Sequence, residues 1–300
     1  MAKQPKNIIV GHLSMQYSDS EQQWREDLSR AATHDCAVIS LTEQFRINGT
    51  AKQFAEANGY RYFHRYDSGF LVKKSPFVHI LDVQYKKVHG RLTYENQPDR
   101  MITGAHGVFI IKIKWYDEII WFHTGHWLTY AAAEKSGRHN LHRKMTETMG
   151  AQVKKHGVGS SIAFFSGDVN RGDGDKDFPT GLFKRMGLLT CWQEIGAYLG
   201  THMARGRTLD VIGSYVPDKR VKCKRVFVDR KFNSDHHMVI AIYTIARKKA
   251  GANQPTGGDK GTGTDDPYLT GGNVDWSDYK DDYVEIVESA IDDTDGHTHF

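Results

Sequence analysis

The sequence predicts an α/β fold of two packed, mixed β-sheets, and three observations lead there. Apolar runs of strand length alternate with segments of helical period. Some runs are joined by short polar turns that suit hairpins, others by stretches long enough for a crossover helix. No internal boundary rich in Pro or Gly interrupts residues 7 to 247, so these read as one domain. A purely parallel sheet would not need the hairpins.

Taken in order, "NIIVGHL" (7–13) reads as a strand, and "SDSEQQWREDLSRAATH" (18–34) as a helix with polar starter residues. "CAVISLTE" (36–43) is a continuous apolar run closed by a carboxylate, as a central buried strand would be. "TAKQFAEANGY" is a short helix stopped by Gly59. The strand-like pieces "GFLVKK", "HILDVQYKKV", "GVFIIKIKW" and "EIIWFHTGH" follow, and a helical pattern covers Lys135 to Lys155. Beyond it come the strand "SIAFFSGD", a helix around "GLFKRMG", and the strands "LDVIGSYV", "VKCKRVFVD" and "HMVIAIYTIA". The composition then turns to Gly, Thr, Asp and Pro. Residues 1–248 are therefore expected to form the folded domain and 249–300 a flexible, acidic tail.

The 300 residues are 39% hydrophobic and 11% aromatic, ample for a sizeable core. No apolar run approaches the length of a membrane span, and "MAKQPKNIIVGHL" lacks the apolar stretch of a signal peptide. Cys36, Cys191 and Cys223 are widely separated, without a CxxC pair, and read as reduced thiols. Together these features lead us to expect a cytoplasmic protein with no membrane partner. The formal net charge of +4 conceals an asymmetry. Residues 251–300 hold twelve acidic residues against two lysines, a net −10, which leaves 38 basic against 24 acidic, or +14, on the rest. A body this basic suits a polyanion, nucleic acid above all.

Chemistry is concentrated where apolar runs end. Glu43 closes "VISLTE", His126 closes "IIWFHTGH", and Asp168 and Asn170 stand at the lip of "SIAFFSGDVN". Asp210 opens "LDVIGSY", and "SDHH" (234–237), with Asp235 and His236, opens the last strand. One such residue is commonly a turn former. Charged or titratable groups at the ends of five different strands are hard to assign to turn chemistry.

In their order along the chain, "TEQF", "TGHW", "GDVN", "LDVI" and "SDHH" resemble the landmarks of the endonuclease/exonuclease/phosphatase superfamily, over roughly residues 7 to 247. "DSGFLVKKS" (67–75) is similar to a further family strand. The resemblance implies a DNase I-like four-layer sandwich of two mixed sheets flanked by helices. It also implies a metal-dependent phosphodiester hydrolase, most simply a nuclease on DNA or RNA, endo- or exo-acting. The compact size and the tail also suit a phage-encoded member.

By the same resemblance, Glu43 and Asp235 would hold Mg²⁺ or Mn²⁺, hard ions that suit carboxylate oxygen. Asp168 would orient or deprotonate the attacking water, and Asn170 would donate to the developing charge. Two residues apart on an extended chain, these two side chains would share a direction. Asp210 would fix His236 as a phosphate-binding imidazolium, and His126 would supply a second phosphate contact. The family's Asn at the end of the first strand is missing, and either His12 or Ser14 could take its place.

Rival readings are weaker. Sixteen histidines invite zinc, and "HTGH" and "HNLH" are both HxxH, but no HExxH occurs and no Cys stands nearby. "DGDKDF" lacks the Gly and Glu of a calcium loop. A phosphatase acting on a small phosphoester or phosphoinositide is the nearest catalytic alternative. A non-catalytic nucleic-acid binder is the alternative outside catalysis.

Overall fold

The computed structural model describes residues 6–15, 20–44, 47–88, 107–127, 139–159, 161–173, 178–203, 206–215 and 220–246. The predicted acidic tail, 249–300, lies outside the described residues. The described residues fall in one compact unit, Met1–Ala246, and form two six-stranded sheets. The first contains β1 (Lys6–Ser14), β2 (Val38–Thr42), β3 (Tyr60–Arg65), β4 (Ser68–Lys73), β11 (Val221–Asp229) and β12 (Met238–Ile245), in the order β11-β12-β1-β2-β4-β3. The second contains β5 (Val78–Lys87), β6 (Gly107–Trp115), β7 (Glu118–His126), β8 (Ile162–Asp168), β9 (Leu189–Thr190) and β10 (Asp210–Tyr215), in the order β5-β6-β7-β8-β10-β9. Both sheets are mixed, as the sequence predicts.

Each sheet contains one parallel pair, β1 with β2 and β7 with β8, and every other pairing is antiparallel. A parallel pair needs a crossover, and helices lie in both. Helix α1 (Glu21–Ala32) joins β1 to β2 and is capped by a reciprocal Ser20–Gln23 box. Helix α3 (His139–His156) lies between β7 and β8. The crossovers fix the direction of both pairs, so Ser14, Thr42, His126 and Asp168 all sit at carboxyl ends. Antiparallel neighbours then start where these strands stop, as the pairing of Asp210 with Asp168 shows.

The sheets pack face to face. Phe70 stacks on Phe109 and Phe164 meets Tyr243 edge-on between them, at centroid distances of 5.5 and 4.9 Å. Strand β2 is buried on both faces. Val38 joins the inter-sheet core, while Ile39 and Leu41 pack beneath α1 and α2 (Asn48–Ala57) with Leu28, Ala31, Ala51 and Phe54. Met145, Met149 and Val153 of α3 cover the outer face of the second sheet, completing four layers. The short helices α4 (Thr180–Arg185) and α5 (Cys191–Ile195) flank β9. No helix among the described residues is long and apolar enough to cross a membrane.

Polar groups also enter this core, and two clusters of them matter here. Between the sheets, Ser166 Oγ donates to Ser40 Oγ at 2.7 Å, and Ser40 Oγ also lies 2.9 Å from His12 Nδ1. Beneath α3, His123 Nδ1 donates to Phe164 O (2.8 Å) and its Nε2 accepts from His156 Nδ1 (2.9 Å). Burial pushes His123 down to about 3 and His156 down to about 4, so both rings are neutral in the fold. The unfolded chain protonates them near pH 6.5, so it binds more protons as pH falls below that value. Stability should therefore be lost from pH 6.5 down toward 4, by up to about 1.4 kcal/mol per pH unit for His123. Urea midpoints measured across that window should fall more steeply in the wild type than in His123→Phe. Equal slopes would show that His123 is not the group responsible.

Candidate active site

The carboxyl ends of the two parallel pairs meet over a cluster of acids and histidines. From the first sheet, β2 runs out at Thr42 and the chain turns at Glu43, whose φ of 54° is left-handed. From the second, β8 runs out at Asp168, and the chain turns at Asn170, φ 50°. A non-glycine residue in this region is strained by roughly 1–3 kcal/mol and persists only where its surroundings over-determine it.

The surroundings of Asn170 are explicit. Its backbone N–H donates to Asp168 Oδ1 at 2.8 Å, and its Nδ2 donates to Trp127 O at 2.8 Å and to Asp168 Oδ2 at 3.3 Å. This corrects the expectation of an extended Asp168–Asn170 segment. The carboxylate closes a turn through the Asn170 amide, and it is the turn that brings the two side chains together.

Asp168 is fully buried and lies between two imidazoles, each backed by its own carboxylate. On one side His236 Nε2 stands 3.6 Å from Asp168 Oδ2, while His236 Nδ1 bonds Asp210 Oδ2 at 2.9 Å. On the other, His126 Nε2 stands 3.8 Å from Asp168 Oδ2, while His126 Nδ1 bonds Asp67 Oδ2 at 2.9 Å. His126 Nε2 also lies 3.4 Å from Glu43 Oε1, which links the two sheets at the site. The ladders enforce this arrangement, since His126 is paired with Asp168 and Asp168 with Asp210.

The electrostatics follow. Burial opposes charge on His236, but Asp210 and Asp168 outweigh it and push it up to about 10. Burial likewise opposes charge on His126, while its Asp67 bond and the Glu43, Asp67 and Asp168 carboxylates push it up to about 10. As a neutral ring His126 would accept from Asn170 Nδ2, 2.9 Å away. As an imidazolium it faces Glu43 and Asp168 instead, and three carboxylates around one ring favour the charged form. Asp168 is raised to about 7 by burial, with Asp210 and Glu43 adding to the shift and the two imidazoles opposing it. Asp210 goes the other way. Burial would raise it, but His236 and His12 hold it well below the usual carboxylate range. Two carboxylates on adjacent strands are thus driven apart, one toward neutrality and one firmly ionised.

The "SDHH" turn is fastened from below. The buried carboxylate of Asp27 on α1 accepts from Asn233 N (2.8 Å) and Ser234 N (3.3 Å). Ser234 Oγ donates to Ser14 O (2.7 Å) and accepts from His236 N (3.1 Å). Asp235 then stands with its Oδ1 3.9 Å from His236 Nε2.

All seven residues singled out from sequence, Glu43, His126, Asp168, Asn170, Asp210, Asp235 and His236, meet in this one cluster. Sequence reasoning missed Asp67, which backs His126 from the turn between β3 and β4. It left His12 and Ser14 as alternatives, and both side chains reach the cluster. His12 Nε2 lies 3.2 Å from Asp210 Oδ1, and Ser14 Oγ donates to Glu43 Oε2 at 3.1 Å.

A divalent cation fits this donor set. Glu43, Asp168 and Asp235 offer hard oxygen donors, and Glu43, His126 and Asp168 place ligand atoms within 4.8 Å of one another. The acids are crowded enough to repel. Burial raises the Asp235 carboxyl, and Glu43 and Asp210 raise it further against the pull of His236. A cation among them would relieve that repulsion.

No protein-family model and no curated protein sequence matches the chain. Solved structures do. The chain is similar to D. rerio TDP2 in complex with a single-strand DNA product, at 14% identity and a TM-score of 0.59, covering 79% of this chain and 99% of that one. It is similar to an endonuclease/exonuclease/phosphatase family protein from Bacteroides thetaiotaomicron, at 12% identity and a TM-score of 0.60, covering 82% and 100%. A mannosyl-6-phosphatase from the same bacterium matches at 13% identity and a TM-score of 0.56, covering 79% and 99%. These matches lend no support to a phage origin. What they share with this chain is architecture: it has the DNase I-like α/β sandwich fold of the endonuclease/exonuclease/phosphatase superfamily.

Proposed function

We propose that the protein is a metal-dependent phosphodiester hydrolase acting on nucleic acid, DNA or RNA. The observation that carries this reading is Asp168 set between two carboxylate-backed imidazoles, His236 with Asp210 and His126 with Asp67. The basic body favours a polyanionic substrate, and the likeness to a TDP2 bound to single-strand DNA agrees with it.

In this reading Asp168, raised to about 7, accepts the proton of the attacking water. His236 and His126 present imidazolium N–H groups to the phosphate oxygens, where negative charge accumulates. Asp210 and Asp67 hold the rings in orientation and keep them protonated. Asn170, locked by Trp127 O and Asp168, is a fixed amide beside the same oxygens. Glu43 and Asp235 would hold Mg²⁺ or Mn²⁺, which when bound neutralises charge on the phosphate and the leaving oxygen.

The test offers plasmid DNA, single-stranded DNA, RNA and a small phosphoester such as a sugar phosphate, each with Mg²⁺, Mn²⁺ or a chelator. Cleavage of a nucleic acid that stops on chelation, with apparent affinity falling steeply as salt rises, is the expected outcome. A flat salt response with good turnover of the sugar phosphate would establish the phosphatase reading instead. Binding of nucleic acid without hydrolysis under any metal would leave only a binding protein.

A further inference from the structure

One histidine beside the site has no part in the chemistry above. His202 lies on a turn held by main-chain bonds on every side. Thr201 N and His202 N donate to Arg207 O at 2.9 and 3.2 Å, and Gly206 N donates to His202 O at 2.9 Å. This turn is stitched to the "SDHH" segment, with His237 N donating to Thr201 O (2.7 Å) and Met203 N to Asp235 O (2.8 Å). The backbone thus presents His202 opposite His236, ring edge to face, with centroids 4.9 Å apart.

The Asp235 carboxylate lies near both rings. His202 Nε2 is 3.3 Å from Asp235 Oδ2, and His236 Nε2 is 3.9 Å from Asp235 Oδ1. The three residues place ligand atoms within 4.8 Å of one another. A tetrahedral ion with bonds of about 2.0–2.1 Å needs ligand atoms roughly 3.3 Å apart; His202 Nε2 and Asp235 Oδ2 already stand at that separation, and His236 Nε2 would close in from within 4.8 Å. Asp235 Oδ1 is buried and makes no hydrogen bond. Behind His236, Asp210 accepts a hydrogen bond from Nδ1–H, which turns Nε2 toward an incoming ion that displaces its proton, the outer-shell arrangement that zinc-binding histidines use. His202 and Asp235 keep side-chain exposures of 11% and 22%, so the cluster opens to solvent on one side.

We propose that His202, Asp235 and His236 form a second metal site, selective for Zn²⁺ over Mg²⁺, whose occupation inhibits the enzyme. Two imidazole nitrogens and one carboxylate suit a borderline-soft ion that accepts four ligands, with the fourth position left to water. Mg²⁺ prefers oxygen donors in octahedral array and is a poor match. Zinc on His236 Nε2 displaces the proton that the phosphate would have met, releasing it to solvent, and draws Asp235 away from Glu43. The inhibitory consequence rests on the hydrolase reading; the site itself does not.

The experiment titrates Zn²⁺ calorimetrically into metal-free full-length protein, wild type against His202→Phe and His202→Asn. The chain has sixteen histidines, so the informative quantity is the difference between variants. The wild type should show one tighter zinc event, weakened at least tenfold in both variants. Mg²⁺-supported hydrolysis by the variants should persist at zinc concentrations that silence the wild type. Zinc isotherms that are the same in all three proteins overturn the site. Should both variants melt early, the Co²⁺-loaded wild type decides. Intense visible bands of a low-coordinate, histidine-ligated ion support the site, and only the weak absorption of an octahedral ion overturns it. A zinc difference in a protein that hydrolyses nothing would sink the hydrolase reading and leave the metal site standing.

Discussion

Asp168→Ala is expected to lower phosphodiester turnover by about 10²-fold or more, at least about 2.7 kcal/mol of transition-state stabilisation. Three losses combine in that substitution. The proposed proton acceptor disappears, the Asn170 amide loses the carboxylate that closes its turn, and the two imidazole rings lose the carboxylate between them. Asp168→Asn separates these effects, because it keeps the turn's acceptor oxygen and removes the base. A comparable loss in Asp168→Asn would assign the effect to proton transfer; a much milder one would assign it to the turn. The loss should fall on kcat more than on KM, since the proton moves only in the chemical step. Wild-type-like kcat in Asp168→Ala, with circular dichroism confirming the fold, would remove Asp168 from the mechanism.

Gly167→Ala should lower unfolding free energy by about 3 kcal/mol, the upper end of what overpacking usually costs. Gly167 faces Gly125 in the parallel ladder of β7 and β8, one step before Asp168 and His126. A Cβ on Gly167 would collide with the carbonyl oxygen of Gly125 and stand 2.6 Å from the Trp127 ring. The first obstacle is backbone in a central ladder, and it has nowhere to go. Gly125→Ala provides the internal comparison. Its Cβ would first meet the terminal methyl of Met145, the far end of a flexible side chain, so the loss should be smaller. Urea denaturation of the two variants measures the contrast. Equal stability would mean that the ladder can widen at this point. Turnover in Gly167→Ala should fall as well, because the displaced strand carries Asp168.

These sites differ in how far the sequence discloses them. Glu43, His126, Asp168, Asp210 and His236 were legible because each interrupts or borders a run that is otherwise apolar. A charge at that place is conspicuous along one dimension. Asp67 was not, since "RYDSGF" is ordinary turn composition and its partner His126 lies 59 residues away. His12 and Ser14 sit two apart on one strand and so share a face, which periodicity cannot divide. Only the opposing residues, Asp210 for one and Glu43 for the other, tell them apart. His202 lies in a loop of Gly, Arg and Thr with no periodic signal at all. The fold behaves alike. Ten of the strands and the mixed character could be read from run lengths and connections; β3, broken by charged residues, and the two-residue β9 could not, and the strand order depends on pairings such as β1 with β12, more than two hundred residues apart. The left-handed turn at Asn170 escaped because Asp-x-Asn is compatible with both an extended and a turned chain.

The hydroxyl contact between Ser40 and Ser166 has a mechanical consequence. Two apolar faces attract without regard to direction, so they resist being pulled apart far better than they resist slipping past one another. A slip of one residue along a strand is about 3.3 Å, enough to carry Glu43 out of reach of His126. A hydrogen bond does depend on direction and length, and the 2.7 Å contact joins the middle of β2 to β8 two residues before Asp168. It acts as a detent on a sliding joint, indexing one half of the molecule against the other where misalignment would split the site.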